Sequence, residues 1–270
     1  MSFQISKAHA YGNDFLFVPH EQVRGRALDA LTRRLCQRHT GLGADGVIYY
    51  TVQPEDRTAT MRLINADGSP SELSGNGLRC LGALLTYQLS ADAPPVNEWR
   101  VSTDAGWKTL ALAGHHDTTY TFRAALGPPE HITQEVLEVA GETLSAVILT
   151  MANPQCVVLM PELPSAERFA RLGPGLSSHP RFPAGTNVEF AVVDAADRVR
   201  ILIWERGVGP THASGTGASA SAVAAHVAGG AGRDVLVEAP GGTQRVEWHD
   251  EGVVLTGEAE VLFDGVWLPR

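Results

Sequence analysis

The chain has 270 residues, of which 44% are hydrophobic and 19% charged, so it is long enough to bury one large core or two smaller ones. Its formal net charge of −9, without a basic stripe, argues against nucleic acid as a partner. No apolar run reaches the roughly 18 residues that a membrane span needs, and the N-terminal segment has no basic region before an apolar stretch. We therefore expect a cytoplasmic protein that is not bound to a membrane.

The first half of the chain is predicted to alternate short strands with two helices. Phe3–Val18 has two strand patterns around the turn Tyr11–Asp14, and Ala27–Arg38 has leucines at helical spacing. An apolar helix follows Ser74 and extends from Asn76 to about Leu89. The other predicted strands of this half are Val47–Val52, Ala59–Asn65, Trp99–Ser102, Trp107–Ala113 and Thr119–Ala125.

The second half repeats this order after Gly127–Glu130, the most linker-like tetrapeptide of the interior. A short helix is predicted over Ala166–Leu172, and a second apolar helix over Ala218–Val227. Arg198–Trp204 alternates in the manner of a half-buried strand. The remaining predicted strands are Ala146–Met151, Cys156–Met160, Val188–Val193, Val235–Glu238, Gln244–Trp248, Gly252–Thr256 and Ala259–Phe263.

Two near-copies of one short pattern indicate an internal duplication. Ser74–Gly77 and Ser214–Gly217 lie 140 residues apart, and each precedes one of the apolar helices. The landmarks that recur in the same order are Asn13 with Asn153, Asp45 with Asn187, and Ser74 with Ser214. A chance match of glycine-rich tetrapeptides does not explain the ordered set, so the chain is predicted to contain the same domain twice.

The apolar helices predict the architecture, because a helix that is apolar nearly all round must be enclosed on all sides. We expect an α/β (α+β) fold of two pseudo-symmetric domains, each a mixed, mostly antiparallel sheet curled around a central apolar helix. The first domain is predicted over residues 1–116, with the tail at residues 263–270 packing back on it. The second is predicted over residues 117–262, with a ligand cleft between the two.

The two serine-headed loops have the chemistry of a carboxylate site. A glycine loop that opens a helix leaves backbone N–H groups free, and the helix dipole favours an anion there. Two such loops would surround one carboxylate and place a side chain on either side of the attached carbon. That geometry suits moving a proton from one face of the carbon to the other. The simpler interpretation of each serine alone is a helix N-cap.

The longer motifs resemble those of the diaminopimelate epimerase family over essentially the whole chain. The segments that carry the resemblance are Gly12–Phe15, Gly43–Gly46, Asn65–Ser69, Gly75–Cys80, Asn153–Pro154, Asn187, Trp204–Gly209 and Gly215–Ala218. The resemblance implies two pseudo-symmetric α/β domains, a possible homodimer, and epimerisation of an amino acid by two opposed cysteines, without cofactor or metal. It also implies a place in lysine biosynthesis.

The departures from the family fall on the chemistry. Ser74 and Ser214 stand where the family has its catalytic cysteines, Gln155 replaces a histidine, and Pro210 replaces a glutamate. A free thiol has a pKa near 8.5, whereas an alcohol resembles water, with a pKa of about 15.7. That gap of about 7 pKa units corresponds to about 9–10 kcal/mol in the cost of forming the base. Impaired or altered chemistry is therefore expected.

The resemblance also assigns roles to the residues around these serines. We expect the reacting carboxylate to be held by the two loops, through Gly75, Asn76, Gly215 and Thr216. The residues expected to bind the rest of a zwitterionic amino acid such as diaminopimelate are Asn13, Asn65, Asn153, Asn187, Glu205 and Arg206, since Arg206 can pair bidentately with a carboxylate. Auxiliary roles are expected for Asp45, Gln155 and His212.

Several interpretations of the serines stay open. They can be engineered near-isosteric substitutions, natural divergence to another chemistry, or the mark of a catalytically inactive amino-acid-binding or regulatory homologue. The changes at Gln155 and Pro210 favour natural divergence. Because a serine becomes a nucleophile or base only beside a general base, His212 could serve Ser214 in a divergent isomerase or dehydratase. The three cysteines, Cys36, Cys80 and Cys156, lack the spacing of a disulfide framework or zinc site.

Overall fold

The computed structural model describes residues 2–89 and 97–268, which form two compact units. Unit 1 contains the chain up to Ala124 together with the residues from Gly257 onward, and unit 2 contains Ala125–Thr256. The sequence places these limits after residue 116 and at residue 263. In the structure they fall inside the strands Thr119–Gly127 and Gly252–Trp267, because a continuous strand gives no compositional sign of where one unit ends.

The elements of unit 1 follow the predicted order of strands and helices. Its strands are β1 (Phe3–Ala10), β2 (Asn13–Pro19), β3 (Gly46–Gln53), β4 (Thr58–Asn65), β5 (Pro70–Ser71), β6 (Glu98–Thr103), β7 (Gly106–His116) and β8 (Thr119–Gly127). Its helices are α1 (Leu28–Leu35) and α2 (Gly75–Tyr87), with a 3-10 turn at His20–Val23.

Two parallel steps interrupt the otherwise antiparallel sheet of unit 1. Strand β1 pairs antiparallel with β2, β3 with β4, β6 with β7 and β7 with β8, whereas β2–β3 and β4–β6 are parallel. Because parallel neighbours need a crossover connection, α1 and α2 lie in these two crossovers. Helix α2 is buried from Gly75 to Leu85 and packs against β1, β2 and β3. The prediction of an apolar helix enclosed by strands is confirmed.

Unit 2 contains the second set of elements. Its strands are β9 (Glu130–Val139), β10 (Glu142–Met151), β11 (Asn153–Leu159), β12 (Asn187–Ala195), β13 (Arg198–Glu205), β14 (Gly209–Thr211), β15 (Asp234–Ala239), β16 (Gly242–His249) and the start of β17 (Gly252–Trp267). Its helices are α3 (Ala166–Ser177) and α4 (Gly215–Gly229).

The pairing in unit 2 repeats that of unit 1. Strands β11–β12 and β13–β15 are the parallel pairs, and α3 and α4 lie in their crossovers. The pairs β9–β10, β10–β11, β12–β13, β15–β16 and β16–β17 are antiparallel. Helix α4 is buried along most of its length and packs against β10, β11, β12, β13, β15 and β16. The predicted α+β class and the predicted duplication are both confirmed at the level of topology.

Several elements differ from the sequence-based expectation, which does not include the short strands β5 and β14. Strand β9 was not expected, and α3 continues to Ser177 although Leu172 is the predicted end. Pro174 lies inside α3, and Gly173 before it lies against the ring of Trp204, where a Cβ would approach the ring to 2.6 Å. This packing favours the helical continuation that Pro174 disfavours. The two predicted strands after residue 252 form one continuous β17.

The helices that the structure describes are all too short or too polar to cross a membrane.

Candidate functional site

Both serines cap a central helix with the same geometry. Ser74 precedes α2 with φ −125° and ψ 121°, and its Oγ accepts a hydrogen bond of 3.1 Å from the backbone N–H of Gly77. Ser214 precedes α4 with φ −141° and ψ 127°, and its Oγ accepts one of 3.1 Å from Gly217. The first-turn N–H groups of a helix have no intrahelical acceptor. Each unit therefore presents a helix N-terminus that can receive an anion.

In unit 1 a ladder of amides lies beside the Ser74 cap. Asn76, which is 3% exposed, donates from Nδ2 to Asn13 Oδ1 at 3.1 Å. Asn13 in turn donates to Asp45 Oδ2 at 2.8 Å, and that oxygen also accepts from the backbone N–H of Asp14 at 3.1 Å. The structure thus brings together Asn13, Asp45 and Asn76, with Asp45 fixing the Asn13 amide.

A buried arginine supports this ladder from inside α2. Arg79 is fully buried and donates from Nη2 to Asn76 Oδ1 at 2.5 Å. Its Nε and Nη1 have no hydrogen-bond partner among residues 2–89 and 97–268. The guanidinium carbon lies 5.9 Å from the centroid of the Tyr11 ring, and burial lowers the pKa of Arg79. Sequence reasoning missed Arg79, although a lone charge within Leu78–Leu85 was a visible signal.

Asn65 lies beside this ladder without a described hydrogen bond to Asn13. Its Nδ2 donates to Ser69 Oγ at 3.1 Å within the turn that follows β4. The adjacent Ala66 N–H donates to the Asp45 carbonyl at 2.9 Å, which fixes this turn against the Asp45 loop.

In unit 2 a buried carboxyl lies directly behind the Ser214 cap. Glu189 on β12 is fully buried, and a Cβ at Gly217 would lie 2.6 Å from its Oε1. Burial raises the pKa of Glu189 well above its ordinary range, and the negative charge of Glu205 raises it further. Glu189 was also missed from the sequence, where it is the one charged residue within Val188–Val193.

Gln155, also fully buried, connects Glu189 with the Ser214 loop. One end of its amide lies 3.0 and 3.3 Å from the two Glu189 oxygens. The other end lies 2.5 Å from Asn153 Oδ1 and 3.2 Å from Thr216 Oγ1. Thr216 Oγ1 is in turn 3.4 Å from Ser214 Oγ. The structure therefore brings Asn153, Gln155, Thr216 and Ser214 together.

The residues expected to bind the far end of a ligand form a second group in unit 2. Asn187 Oδ1 accepts from the backbone N–H of Arg206 at 2.9 Å. The exposed Arg206 side chain donates from Nη1 to the Ala184 carbonyl at 3.1 Å. Its guanidinium group has further N–H donors that can pair with a carboxylate. Glu205 lies half-buried at the end of β13.

His212 lies apart from the hydroxyl it was expected to serve. Its side chain is exposed, and its carbonyl accepts from Gly241 N at 2.8 Å. Within the described parts of the chain, no hydrogen bond joins its ring to Ser214.

Asn13 and Asn153 each follow a tight turn that contains a left-handed residue. Asn13 opens β2 and Asn153 opens β11. The residues ahead of them include Tyr11 at φ 56° and Ala152 at φ 63°, a left-handed backbone that non-glycine residues adopt at a cost. Both turns therefore contain a left-handed non-glycine residue, although the turn before Asn13 has two residues and the turn before Asn153 has one.

Comparison with known proteins points to one family. The family model described as diaminopimelate epimerase matches residues 5–132 and 147–262. A diaminopimelate epimerase of Desulfitobacterium hafniense is 38% identical over 283 residues, with 98% of each chain covered. One of Nostoc punctiforme is 36% identical over 288 residues, which cover 98% of this chain and 99% of the relative.

Solved structures with low sequence identity share the fold. A probable proline racemase of Agrobacterium radiobacter has a TM-score of 0.73 at 16% identity, covering 99% of this chain and 93% of that one. A phenazine biosynthesis protein of the PhzF family from Bacillus anthracis has a TM-score of 0.74 at 13% identity, with 100% of both chains covered. A hydroxyproline epimerase of Agrobacterium vitis, solved with trans-4-hydroxy-L-proline, has a TM-score of 0.71 at 17% identity, covering 98% of this chain and 92% of that one.

Proposed function

We propose that this chain, which belongs to the diaminopimelate epimerase family, is an isomerase-type protein that binds a zwitterionic amino acid of the diaminopimelate kind, with Ser74 and Ser214 at its two acid/base positions. The family consists of isomerases, so epimerase or racemase activity is the function to test first. The serine pair makes slow or altered turnover the expected behaviour of this form.

The observation that carries the proposal is the pair of equivalent helix caps. In each unit a serine in an extended conformation precedes the helix, and its Oγ accepts a 3.1 Å hydrogen bond from the N–H of the third helical residue. The backbone of the two residues ahead of that bond, Gly75 and Asn76 in α2 and Gly215 and Thr216 in α4, lies in the first turn of its helix, where the helix dipole favours a carboxylate. That both loops serve one substrate is inferred from the duplication and from the family.

The polar residues around the caps support recognition of an amino acid. Asn13, Asn65, Asn153 and Asn187 offer amides that donate and accept, Glu205 can receive an ammonium group, and Arg206 can pair with a carboxylate. The packing of Asn13 against Asp45, and of the Arg206 N–H against Asn187, fixes these groups before a ligand arrives. Preorganised groups lower the ordering cost of binding.

A second candidate is a catalytically inactive homologue that binds the amino acid without turning it over. Two observations favour it. Both serine hydroxyls accept a capping hydrogen bond, and the exposed His212 is not bonded to Ser214 in the described residues. A hydroxyl without an adjacent base has little capacity to abstract a proton. The isomerase or dehydratase that would use His212 is the least supported of the three.

Deuterium exchange distinguishes the candidates. In D2O, an epimerase incorporates deuterium at the α-carbon of LL- or meso-diaminopimelate, a dehydratase forms a new product, and a binder does neither. We expect Ser74→Cys combined with Ser214→Cys to raise α-proton exchange by at least about a hundredfold, in the range of general acid–base catalysis. The signal of the α-proton, followed by NMR, measures this.

Calorimetric titration with the same ligands is the matched control. If the double thiol form binds diaminopimelate but exchanges nothing, the epimerase proposal is wrong and the binding protein stands. If neither form releases heat at millimolar ligand, both proposals are wrong.

A further inference from the structure

The Ser214 cap is linked to Glu189, which has no expected role in binding a ligand. Glu189 is on β12 between its register partners Val157 on β11 and Ile203 on β13. Its side chain faces the first turn of α4, where Gly217 has no Cβ and the carboxylate comes within reach of the helix backbone. A fully buried carboxyl needs polar partners, and the amide of Gln155 supplies them at 3.0 and 3.3 Å.

Four polar groups form a continuous path from this carboxyl to the serine. The steps are 3.0 Å from Glu189 to Gln155, 3.2 Å from Gln155 to Thr216, and 3.4 Å from Thr216 to Ser214. The nitrogen and oxygen of an amide are told apart only by their partners. The direction of each hydrogen bond on the path is therefore set by what the carboxyl at its end requires.

An ionised Glu189 accepts only, so the Gln155 nitrogen must face it. The Gln155 oxygen then faces Thr216 and Asn153. The Thr216 hydroxyl donates to it at 3.2 Å, and the Asn153 amide must also turn, so that its nitrogen rather than its oxygen lies 2.5 Å from Gln155. With its proton used, Thr216 can only accept from Ser214. The Ser214 proton is then held by Thr216, and the free surface of Ser214 Oγ carries a lone pair.

A neutral Glu189 donates a proton to the Gln155 oxygen, and the Gln155 nitrogen donates to Asn153 Oδ1 at 2.5 Å. Thr216 is then free to donate its proton to Ser214 Oγ. Ser214 keeps its own proton available to a ligand. The two states thus present opposite sides of the Ser214 hydroxyl, without a proton crossing the amide.

The groups that face Glu189 set the balance between the states. Glu205 at the end of β13 and the Cys156 thiol on β11 interact with it electrostatically, and both are acidic. Helix α4 presents its N-terminal backbone at Gly217, which favours the ionised form. Burial first, and then the negative charge of Glu205, raise the pKa of Glu189 and so favour its neutral form.

We propose that Glu189 is a positioning residue that acts through Gln155 and Thr216 to set whether Ser214 offers a proton or a lone pair to the ligand. The inference rests on the proposed function, because it takes Ser214 as the group that faces the substrate. In this way the protonation state of Glu189 would decide whether Ser214 acts as a proton donor or as a proton acceptor.

The test uses Ser214→Cys, whose thiol reports the donors around position 214 without any ligand. Thiolate formation is followed by its ultraviolet absorbance between about pH 6 and 10. The unsubstituted protein is the blank, because burial raises the pKa of Cys36 and Cys80 to about 12 and that of Cys156 further. Adding Glu189→Gln frees Gln155 to turn either way, so Thr216 can donate to the thiolate.

We expect the thiolate fraction at a fixed pH below the thiol pKa to rise about tenfold with Glu189→Gln, the effect of one hydrogen bond to a charged group. Removing a nearby negative charge would act in the same direction through space. Thr216→Val separates the two causes in a double-mutant cycle. The gain should nearly vanish with Thr216→Val and persist with Thr216→Ser.

If Glu189→Gln raises the thiolate fraction equally with Thr216 and with Thr216→Val, the inference is wrong. It is also wrong if Glu189→Gln does not raise the thiolate fraction at any pH. Should Glu189→Gln fail to fold, the profiles of Ser214→Cys with and without Thr216→Val decide instead. The step from Glu189 ionisation should be present with threonine and absent with valine, and a step of the same size in both is contrary to the inference. These readouts need no substrate, so they fail or succeed independently of the deuterium exchange.

Discussion

The two serine loops share a backbone and differ in the buried charge behind it. In unit 1 the cap at Ser74 lies beside the amide ladder of Asn76 and Asn13, to which the buried cation Arg79 donates at Asn76. In unit 2 the cap at Ser214 lies on a path that ends in the carboxyl of Glu189. The cap bonds themselves are both 3.1 Å. The backbone therefore sets where an anion can bind, and the side chains behind it make the two ends unequal.

This inequality suits a reaction that needs a donor on one side and an acceptor on the other. The cation in unit 1 fixes the amide of Asn76 in one orientation, since Nη2 of Arg79 can bond only to its oxygen. The carboxyl in unit 2 can change its charge and leaves two orientations open to Gln155. We therefore expect the Ser74 side to be fixed and the Ser214 side to be adjustable.

The largest expected effect comes from introducing thiols at positions 74 and 214, singly and together. The double form should exceed the unsubstituted chain by at least about a hundredfold in α-proton exchange. Ser74→Cys and Ser214→Cys alone should each reach only part of that gain, because an epimerase needs both an acid and a base. NMR of the α-proton in D2O measures all four forms. Equal exchange by one single form and the double form would contradict two acting positions.

The pH dependence of stability should separate Glu189 from an exposed glutamate. Because the folded state raises the pKa of Glu189, its contribution to stability is present below the unfolded pKa and is lost as pH rises through the folded pKa. Glu189→Gln should therefore gain stability relative to the unsubstituted chain as pH rises, by at most about 1.4 kcal/mol per pH unit. Urea unfolding from acidic to mildly basic pH measures the difference.

Glu142→Gln is the control of opposite sign. Hydrogen bonds from Arg168 and charge pairing with Arg168 and Arg171 lower the pKa of Glu142, so its contribution is present above the unfolded pKa and lost as pH falls. If the change in unfolding free energy caused by Glu189→Gln varies with pH in the same direction as that caused by Glu142→Gln, the fold does not favour the neutral form of Glu189.

The glycines after the two caps should tolerate a methyl group unequally. A Cβ at Gly217 would lie 2.6 Å from the buried Glu189 Oε1, whereas one at Gly77 would lie 2.9 Å from Ile48 Cδ1, the free end of an apolar side chain. Gly217→Ala should destabilise by about 1–2 kcal/mol more than Gly77→Ala. The difference in urea midpoint at constant slope measures this. Equal costs would mean that the carboxyl of Glu189 moves aside freely.

The smallest effect is expected from the caps. Ser74→Ala and Ser214→Ala should each cost about 1 kcal/mol through the lost bond to the third helical N–H. The buried Ser214 also contacts Thr216, so its cost should be the larger. Thermal unfolding of both variants, with serine-to-glycine forms as controls that lose only a few tenths, tests the order. A larger cost at Ser74 would reverse the comparison.

The sequence predicts the enclosed helices well, because α2 and α4 are apolar nearly all round and such a helix must be enclosed on all sides. It fails at β9, where Glu135 and Glu138 interrupt the pattern and only Leu137 and Val139 are buried. It also ends α3 too early, because the packing of Trp204 on Gly173 is not visible from the local Gly-Pro-Gly run. Local sequence patterns predict most helices and strands, whereas contacts with distant residues determine where those elements begin and end.

The candidate site divides in the same way. The duplicated motifs predict the serines, their loops and the asparagine turns, since each carries a local pattern. Glu189 is missed because its partner Gln155 lies far away in the chain. Arg79 is missed because its complete burial depends on the strands that pack around α2. A single charge within an apolar run is the sign that could have revealed both.

The left-handed turns at Tyr11 and Ala152 have a consequence for affinity. Each holds an unfavourable backbone conformation one or two residues ahead of an asparagine that opens a strand, Tyr11 before Gly12 and Asn13, and Ala152 directly before Asn153. The cost of that conformation is met once, when the chain folds. An asparagine whose backbone is already fixed loses little further conformational entropy when a ligand binds. A small, polar and strongly hydrated ligand can therefore be bound through few contacts.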